Sequence, residues 1–134
     1  MLKTQQLTVA LVAALSGAYG LEPLAHATGN REDAILGYWQ RGEREAIVEI
    51  RRQADHYQGI VVASEQHPEI IGAEIFKSLK YDHEHRRWRG RVYSIARDRD
   101  FDTDMVLRDS EHFVISLRVF FIRKSVEFHR QPSP

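Results

Sequence analysis

The sequence predicts an all-β fold, an eight-stranded antiparallel up-and-down barrel in which each strand pairs with its neighbours along the chain. From residue 35 onward, apolar residues alternate with charged ones at period two, the pattern of strands with one buried and one solvated face. Val, Ile, Phe, Tyr and Trp concentrate inside these runs, which disfavours helix. Short polar segments separate the runs, so most connections have the length of hairpin loops. Eight such strands can remove their exposed edges when the first pairs with the last.

The strands can be placed in order along the chain. The span 73–81 is the least distinct, because Ile75, Phe76 and Leu79 also have the spacing of a short amphipathic helix. The longest connection, residues 64–72, has room for one helical turn. A two-sheet sandwich is the competing fold, since the same short strands would build it. The predicted strands are residues 36–41, 45–52, 56–63, 73–81, 87–96, 101–108, 112–120 and 124–130.

Alternation within these spans assigns one face of each strand to the barrel interior. In the second span, Val48 and Ile50 alternate with Glu49 and Arg51. The later spans repeat the pattern with larger side chains. A register error of one residue would reverse every assignment. The apolar positions of the fifth to eighth spans are Trp88, Gly90, Val92, Phe101, Thr103, Met105, Leu107, Phe113, Ile115, Leu117, Val119, Val126 and Phe128.

The N-terminal segment has the three parts of a cleavable signal peptide. A lysine supplies positive charge, residues 7–18 are apolar, and Ala25 and Ala27 occupy the positions that a signal peptidase reads; Gly20 ends a second possible site. The apolar run is too short to cross a hydrocarbon core of roughly 30 Å. The sequence therefore predicts a leader over residues 1–27 and a periplasmic or secreted product.

The rest of the chain, residues 28–134, suits one small domain with its core at 35–130 and a flexible lead-in at 28–34. With 19 basic and 19 acidic side chains the chain is formally neutral, which argues against nucleic acid or an anionic membrane as its main partner. The chain has no cysteine, so we expect no disulfide and no cysteine-linked lipid anchor. We expect no stable membrane insertion after leader cleavage, and the oligomeric state is not predicted.

The strand motifs resemble those of known families. Gly37 and Trp39, followed by an eight-stranded meander, resemble the lipocalin and calycin barrels. More specifically, the chain is similar to an exported bacterial family catalogued as domain of unknown function family 2147. The matching motifs are Tyr-x-Gly-Ile at 57–60, Trp-x-Gly-x-x-Tyr at 88–93 and an aromatic last strand that ends in Arg130. The resemblance covers residues 35–130 and implies a fold more firmly than an activity.

Two loops depart from that family. Where the family carries an Asn-Pro-Asp segment in its long middle loop, residues 65–69 read Glu-Gln-His-Pro-Glu. Where it carries a Pro-x-x-Gly turn, residues 95–98 read Ile-Ala-Arg-Asp. Functional roles of these loops in relatives therefore do not transfer to this chain.

The resemblance also implies how the barrel closes. In lipocalin-like barrels the tryptophan of the Gly-x-Trp motif closes one end, and an arginine of the last strand lies across its ring. A guanidinium stacked on an indole contributes about 0.5–2 kcal/mol. We therefore expect Gly37, Trp39 and Arg130 to tie the first strand to the last, a structural role rather than ligand binding.

The apolar strand faces predict what lines the barrel interior. A barrel of this size is either just filled by side chains or holds one small ligand. We expect a small apolar or amphipathic ligand such as a fatty acid, and no cofactor. The alternative is a filled barrel that acts as an envelope structural or interaction module, with the apolar run 120–122 as its contact patch. The predicted lining residues are Val48, Ile50, Val61, Trp88, Val92, Met105, Leu107, Phe113, Ile115, Leu117 and Phe128.

Two polar segments have spacings that metal sites use. Five aspartates within residues 98–109 fall at EF-hand positions, but Thr103 stands where that loop requires glycine and both flanks read as strands. We expect a solvated acidic hairpin whose carboxylates pair with arginines of the adjacent strand, residues 87–91. His83 and His85 could share a transition metal on an extended segment, with a third ligand from elsewhere. Such spacing is common in polar turns, so no metal site is predicted.

Catalytic motifs do not stand out in this chain. It lacks cysteine, a Gly-x-Ser-x-Gly elbow, a phosphate-binding loop and a His-Glu-x-x-His motif. No catalytic residue is predicted, and we expect a binding protein rather than an enzyme. After the binding protein and the interaction module, a hydrolase of unrecognised type is the third hypothesis. The sequence offers no nucleophile for it.

Overall fold

The computed structural model describes residues 31–134, and the expected leader lies outside the described residues. The strands are β1 (Gly37–Gln40), β2 (Ile47–Gln53), β3 (His56–Ala63), β4 (Glu74–Asp82), β5 (Arg87–Ser94), β6 (Arg99–Asp109), β7 (His112–Val119) and β8 (Ile122–Gln131). They form a closed antiparallel barrel in chain order, in which β1 also pairs with β8. The predicted eight-stranded barrel is confirmed, and the two-sheet sandwich is excluded.

Two short 3-10 helices accompany the strands in the described part of the chain. Pro68–Ile70 lies in the β3–β4 connection and confirms the helical turn predicted for residues 64–72. Arg31–Ile35 forms the other, where the sequence suggested a flexible lead-in. Within residues 31–134, no helix has the length and apolar character needed to span a membrane.

Strand β4 explains the helix-like spacing noted in the sequence. Its pairing with β5 shifts register between Lys77 and Lys80, and Ser78 adopts a φ of 53°. An extra residue is accommodated at this β-bulge. Phe76 and Leu79 therefore both enter the core although they are three residues apart. The spacing belongs to a bulged strand, not to a helix.

The β7–β8 hairpin turns two residues earlier than the sequence suggested. Val119 pairs with Ile122, so the loop consists of Phe120 and Phe121 alone. The predicted spans end at residue 120 and resume at residue 124, which placed Phe120 inside a strand and Ile122 outside one. That prediction was wrong.

Two glycines make room for neighbouring parts of the wall. A Cβ atom on Gly59 would lie 2.5 Å from Cδ2 of Phe76, so a side chain there would displace the aromatic ring. A Cβ on Gly90 would lie 2.6 Å from the carbonyl oxygen of Lys77, at the β4 bulge. At both positions glycine lowers the strand propensity but allows neighbouring segments to pack closely.

Candidate binding cavity at the open end of the barrel

The strand connections define two ends of the barrel. The end where the chain enters β1 and leaves β8 also carries the β2–β3, β4–β5 and β6–β7 turns, and is termed the closed end. The other end carries the remaining four connections and is termed the open end. Side chains fill the interior toward the closed end, and a cavity occupies the interior toward the open end.

Trp39 and Arg130 cover the closed end. The guanidinium carbon of Arg130 lies 4.2 Å from the centroid of the fully buried Trp39 ring. The indole Nε1 donates to the carbonyl oxygen of Ile35 at 2.9 Å. Arg130 donates from Nη1 to the carbonyl oxygen of Leu36 at 2.9 Å and from Nε to that of Ser110 at 2.7 Å. These bonds hold β8 to the entry of β1 and to the β6–β7 turn.

Gly37 is the third member of this arrangement. Its φ of 131° lies in a region that side chains strongly disfavour, and a Cβ there would lie 2.7 Å from Nη1 of Arg130. The glycine of the Gly-x-Trp motif therefore gives the arginine access to the tryptophan ring.

An aromatic cluster fills the closed half of the interior. Phe113 lies at its centre, with ring centroids 4.6 Å from Trp39, 6.0 Å from Phe76 and 4.8 Å from Phe128. The Phe113–Phe128 pair is stacked, and the other two are edge-on. Such geometries add to the area that the rings bury. No space for a ligand remains at this level of the barrel.

A cavity of about 550 Å³ lies in the open half. This volume is within the range of pockets that hold small organic ligands. Several apolar residues of its lining are only half-buried, because they face the cavity rather than another side chain: Ala46, Ile70, Ile75, Phe101, Leu117 and Val126. The lining is apolar along the wall and charged at the mouth.

The structure divides the predicted lining residues between the two halves. Leu107 packs, partly buried, against the core and does not reach the cavity. Four others are buried outside the cavity lining: Ile50, Trp88, Met105 and Phe113. Six line the cavity: Val48, Val61, Val92, Ile115, Leu117 and Phe128.

Loop residues that alternation could not identify complete the mouth. They come from the β1–β2, β3–β4 and β5–β6 connections. The only signal for them in the sequence is an apolar residue within an otherwise polar loop, such as Ile70 or Ile95. Arg41 forms an ion pair with Glu45 here at 2.9 Å, and Nδ1 of His67 lies 3.2 Å from a carboxylate oxygen of Glu69.

Two further cations line the cavity. Lys124 lies opposite Leu117 in the β7–β8 register, on the same face of β8 as the cavity residues Val126 and Phe128. Arg97 reaches the mouth from the β5–β6 connection. Within residues 31–134, neither side chain has a carboxylate within ion-pair distance, so both are available to an anion.

Tyr93 lies at the same mouth and is held by a hydrogen bond. Its hydroxyl donates to Oδ1 of Asp98. This bond to the carboxylate favours the neutral phenol and raises the pKa of Tyr93 above its usual value near 10.0. The phenol is therefore protonated and fixed at neutral pH.

The carboxylates of the predicted acidic hairpin lie along β6, where several form cross-strand ion pairs. Asp104 lies 3.2 Å from Arg87 and 3.3 Å from Arg89, and Asp100 lies 3.9 Å from Arg91. Lys77 of β4 adds a contact of 3.1 Å to Asp100. The expected pairing with the arginines of residues 87–91 is confirmed. In the described part of the chain, no three histidine or acidic side chains converge as metal ligands would.

The two histidines considered as metal ligands, His83 and His85, lie in the β4–β5 turn at the closed end. His83 packs edge-on against Tyr81, with ring centroids 4.9 Å apart, whereas Nδ1 of His85 lies 2.8 Å from Asp82. Asp109 and His112 make the equivalent contact at 2.8 Å in the β6–β7 hairpin. His85 and His112 therefore fix their turns through aspartates, whereas His83 packs on an aromatic ring.

No family model, curated protein or solved structure matched the chain. Membership of the family that its motifs resemble therefore stays a prediction. The fold and cavity define a class: a small closed antiparallel barrel, filled at one end and open at the other, a form compatible with a binding protein.

Proposed function

We propose that this chain is a non-enzymatic binding protein for a single-chain amphipathic molecule with an anionic head, such as a fatty acid. The cavity of about 550 Å³ in the open half of the barrel carries this proposal. The acyl chain would occupy the cavity, and the head would stay at the mouth. Export to the periplasm or beyond is part of the proposal and rests on the leader alone.

The walls of the cavity suit an acyl chain. Apart from Lys124 and the polar residues of the mouth, the lining is largely aliphatic or aromatic, from Phe128 at the floor to Val119 near the mouth. Burying each methylene of a ligand against such walls contributes about 0.8 kcal/mol. Phe128, stacked on the buried Phe113, forms the floor of the cavity toward the closed end.

The mouth suits an anionic head. Lys124 and Arg97 line the cavity without a carboxylate partner among the described residues, whereas Arg41 is already paired with Glu45. A carboxylate at this level would pair with cations while remaining in water, which avoids the cost of burying a charge. This arrangement favours a fatty acid over a neutral lipid of equal length.

A second candidate function, an envelope interaction module that needs no ligand, has its own support. Phe120 and Phe121 of the β7–β8 loop are 80% and 100% exposed. Contact through this loop does not require the cavity, so the two functions are compatible.

Laurate titration of wild type and two tryptophan variants tests the proposal, with native mass spectrometry to detect any retained lipid. Leu117→Trp places an indole in the cavity and should weaken laurate binding at least about tenfold. Val106→Trp adds the same bulk on the outer wall, where Val106 is 40% exposed, and should bind as wild type. Failure of wild type to bind laurate, or equal binding by Leu117→Trp, would refute a cavity ligand.

A second comparison tests how much the anionic head group of the ligand contributes to binding. Lys124→Gln should lower the affinity for laurate about two- to fivefold and leave the affinity for dodecanol unchanged, as expected for one solvent-exposed ion pair. Equal binding of laurate and dodecanol by wild type would keep the cavity function and remove its selectivity for anions.

A further inference from the structure

The exposed apolar surface of the barrel is concentrated at one end. Among the described residues, the exposed large hydrophobic side chains are Ile71, Ile95, Val106, Phe120, Phe121 and Ile122. All except Val106 belong to the connections of the open end or to the residue that follows one. The closed-end turns, such as Ala54–Asp55 and Ser110–Glu111, are short and contribute none. This asymmetry points to a function at the open end.

The β7–β8 tip, defined as residues 120–122, is the most prominent part of this surface. Phe121 is 100% exposed, and Ile122 is 63% exposed. Phe120 has a φ of 57°, a left-handed conformation that is unusual for a bulky residue. Two-residue hairpin loops favour Asn, Asp and Gly, so neither folding nor solubility accounts for two phenylalanines here. Other turn residues such as Ala54 and Asp98 share this positive φ, so Phe120 is distinguished by its bulky, exposed aromatic side chain.

The strands that carry the tip are basic. From residue 117 to 126 the sequence contains three cations and no acidic residue. Arg118 and Arg123 face each other across the hairpin, a like-charge pair that destabilises a sheet. Neither has a carboxylate within ion-pair distance in residues 31–134, although Asp102 shares an outer-wall groove of about 370 Å³ with both. Neutral overall charge therefore coexists with a locally cationic apolar tip.

The tip also adjoins the cavity. Val119 and Lys124 line the cavity, and they are the residues on either side of the segment 120–123. A surface that the tip contacts would consequently lie next to the mouth.

We infer that the β7–β8 tip docks the barrel onto the surface of an anionic phospholipid bilayer, with the cavity mouth toward the lipids. Phe120, Phe121 and Ile122 enter the interface between head groups and acyl chains, where aromatic and aliphatic side chains are stabilised. Arg118 and Arg123 contact the anionic head groups, which offsets their mutual repulsion. An amphipathic ligand would then pass between bilayer and cavity without crossing water. The contact is peripheral and reversible, and it does not require the cavity to be occupied.

Vesicle sedimentation with the full chain tests the docking surface. Wild type should bind vesicles that contain phosphatidylglycerol and bind pure phosphatidylcholine vesicles more weakly. The tip variant Phe120→Gly with Phe121→Asn places glycine at the position with positive φ and a polar residue beside it, so it should fold, and it should bind more than about tenfold more weakly. Val106→Asn removes an exposed apolar side chain far from the open end and should bind as wild type. All variants carry the same N-terminal segment, so its own affinity for lipid is constant.

The charge and the depth of insertion have separate readouts. Arg118→Gln with Arg123→Gln should weaken binding to the anionic vesicles roughly 30-fold and reduce its sensitivity to salt. Phe121→Trp should show a blue shift in emission on vesicle addition, because the natural tryptophans Trp39 and Trp88 are buried and do not respond. Leu117→Trp should still bind vesicles, which separates docking from ligand binding.

Three outcomes would overturn the inference. The first is a wild-type chain that does not bind the anionic vesicles, and the second is a tip variant that binds them as strongly as wild type. The third is self-association without lipid that the tip variant abolishes in sedimentation velocity, since the tip would then be an interface between copies of this chain.

Discussion

The closed and open halves of the barrel share the same eight strands and the same alternation of side chains, yet only one half is filled. At the closed half the inward positions are large, with Trp39, Phe76 and Phe113 in mutual contact. At the open half most of them are aliphatic, with Val48, Val61 and Val92 on the walls, and they leave the centre open. Alternation therefore decides which face is inside, and the size of the side chain at each level decides whether the inside holds a cavity.

The strand connections at the two ends of the barrel also differ. Closed-end turns are short and polar, and aspartates such as Asp82 and Asp109 fix them. Open-end connections are polar in part, but three of the four carry exposed apolar residues, among them the Phe120–Phe121 loop. We interpret the closed half as the source of stability and the open half as the region adapted for contact with other molecules. Stability and binding surfaces commonly separate in this way.

Replacement of Trp39 tests this division with the largest expected effect. Trp39→Ala leaves a cavity beside Phe113 and removes the ring on which Arg130 stacks, so the free energy of unfolding should fall by about 3–5 kcal/mol. Phe101→Ala removes a half-buried ring that faces open space, so it should cost less than about 2 kcal/mol. Urea unfolding of both variants measures the difference. Equal costs would mean that the open half contributes as much stability as the closed half.

A pair of glycine substitutions tests closure with an intermediate effect. Gly37→Ala introduces a side chain at a φ of 131° and a contact of 2.7 Å with Arg130, and should cost about 2–4 kcal/mol. Gly72→Ala, at the open end, meets a φ of 96° but no atom within 4 Å, and should cost about 1–2 kcal/mol. The loss of unfolding free energy in Gly37→Ala minus the loss in Gly72→Ala measures the cost of displacing Arg130. If the two variants lose the same stability, strain alone explains Gly37, and its contact with Arg130 is unimportant.

The sequence was sufficient to predict most of the fold. Strands β3 and β7 lie within one residue of their predicted bounds, since alternation between polar turns leaves little freedom there. The exceptions have local causes. The bulge at Ser78 changed the spacing in β4, and the Phe120–Phe121 loop lacks the residues by which turns are recognised.

The cavity was only half predictable. Alternation identified Val61 and Met105 alike as inward, but one lines the cavity and the other is buried in the closed half. Their difference depends on the height of each residue along the barrel axis and on the neighbours at that height. This height depends on strand stagger and bulges, which the sequence pattern does not encode. Mouth residues such as Arg97 lie in loops, where no period applies.

The ends should also differ in their response to pH, which is the smallest effect expected. At the closed end, the hydrogen bond from His85 lowers the pKa of Asp82 below its usual 3.8, and the hydrogen bond from His112 lowers that of Asp109. A carboxyl with a lowered folded-state pKa adds stability that is complete above its unfolded value and is lost as the pH falls through the folded value. At the open end, the pKa of Tyr93 is raised by Asp98, so its contribution is complete below about 10 and is lost as the pH rises further.

In a plot of unfolding free energy against pH, the acid arm is the fall in stability at low pH and the alkaline arm is the fall at high pH. Two variants should each make one of these arms shallower. Asp82→Asn keeps a turn-forming side chain but removes the charge, so the loss of stability below about pH 4 should become shallower. Tyr93→Phe removes the hydroxyl and should make the loss above about pH 10 shallower. Urea midpoints measured across pH give both arms, and Asp102→Asn on the outer wall controls for the removal of any carboxylate. If Asp102→Asn flattens the acid arm as much as Asp82→Asn does, the acid sensitivity belongs to the net charge of the barrel and not to the closed-end turns.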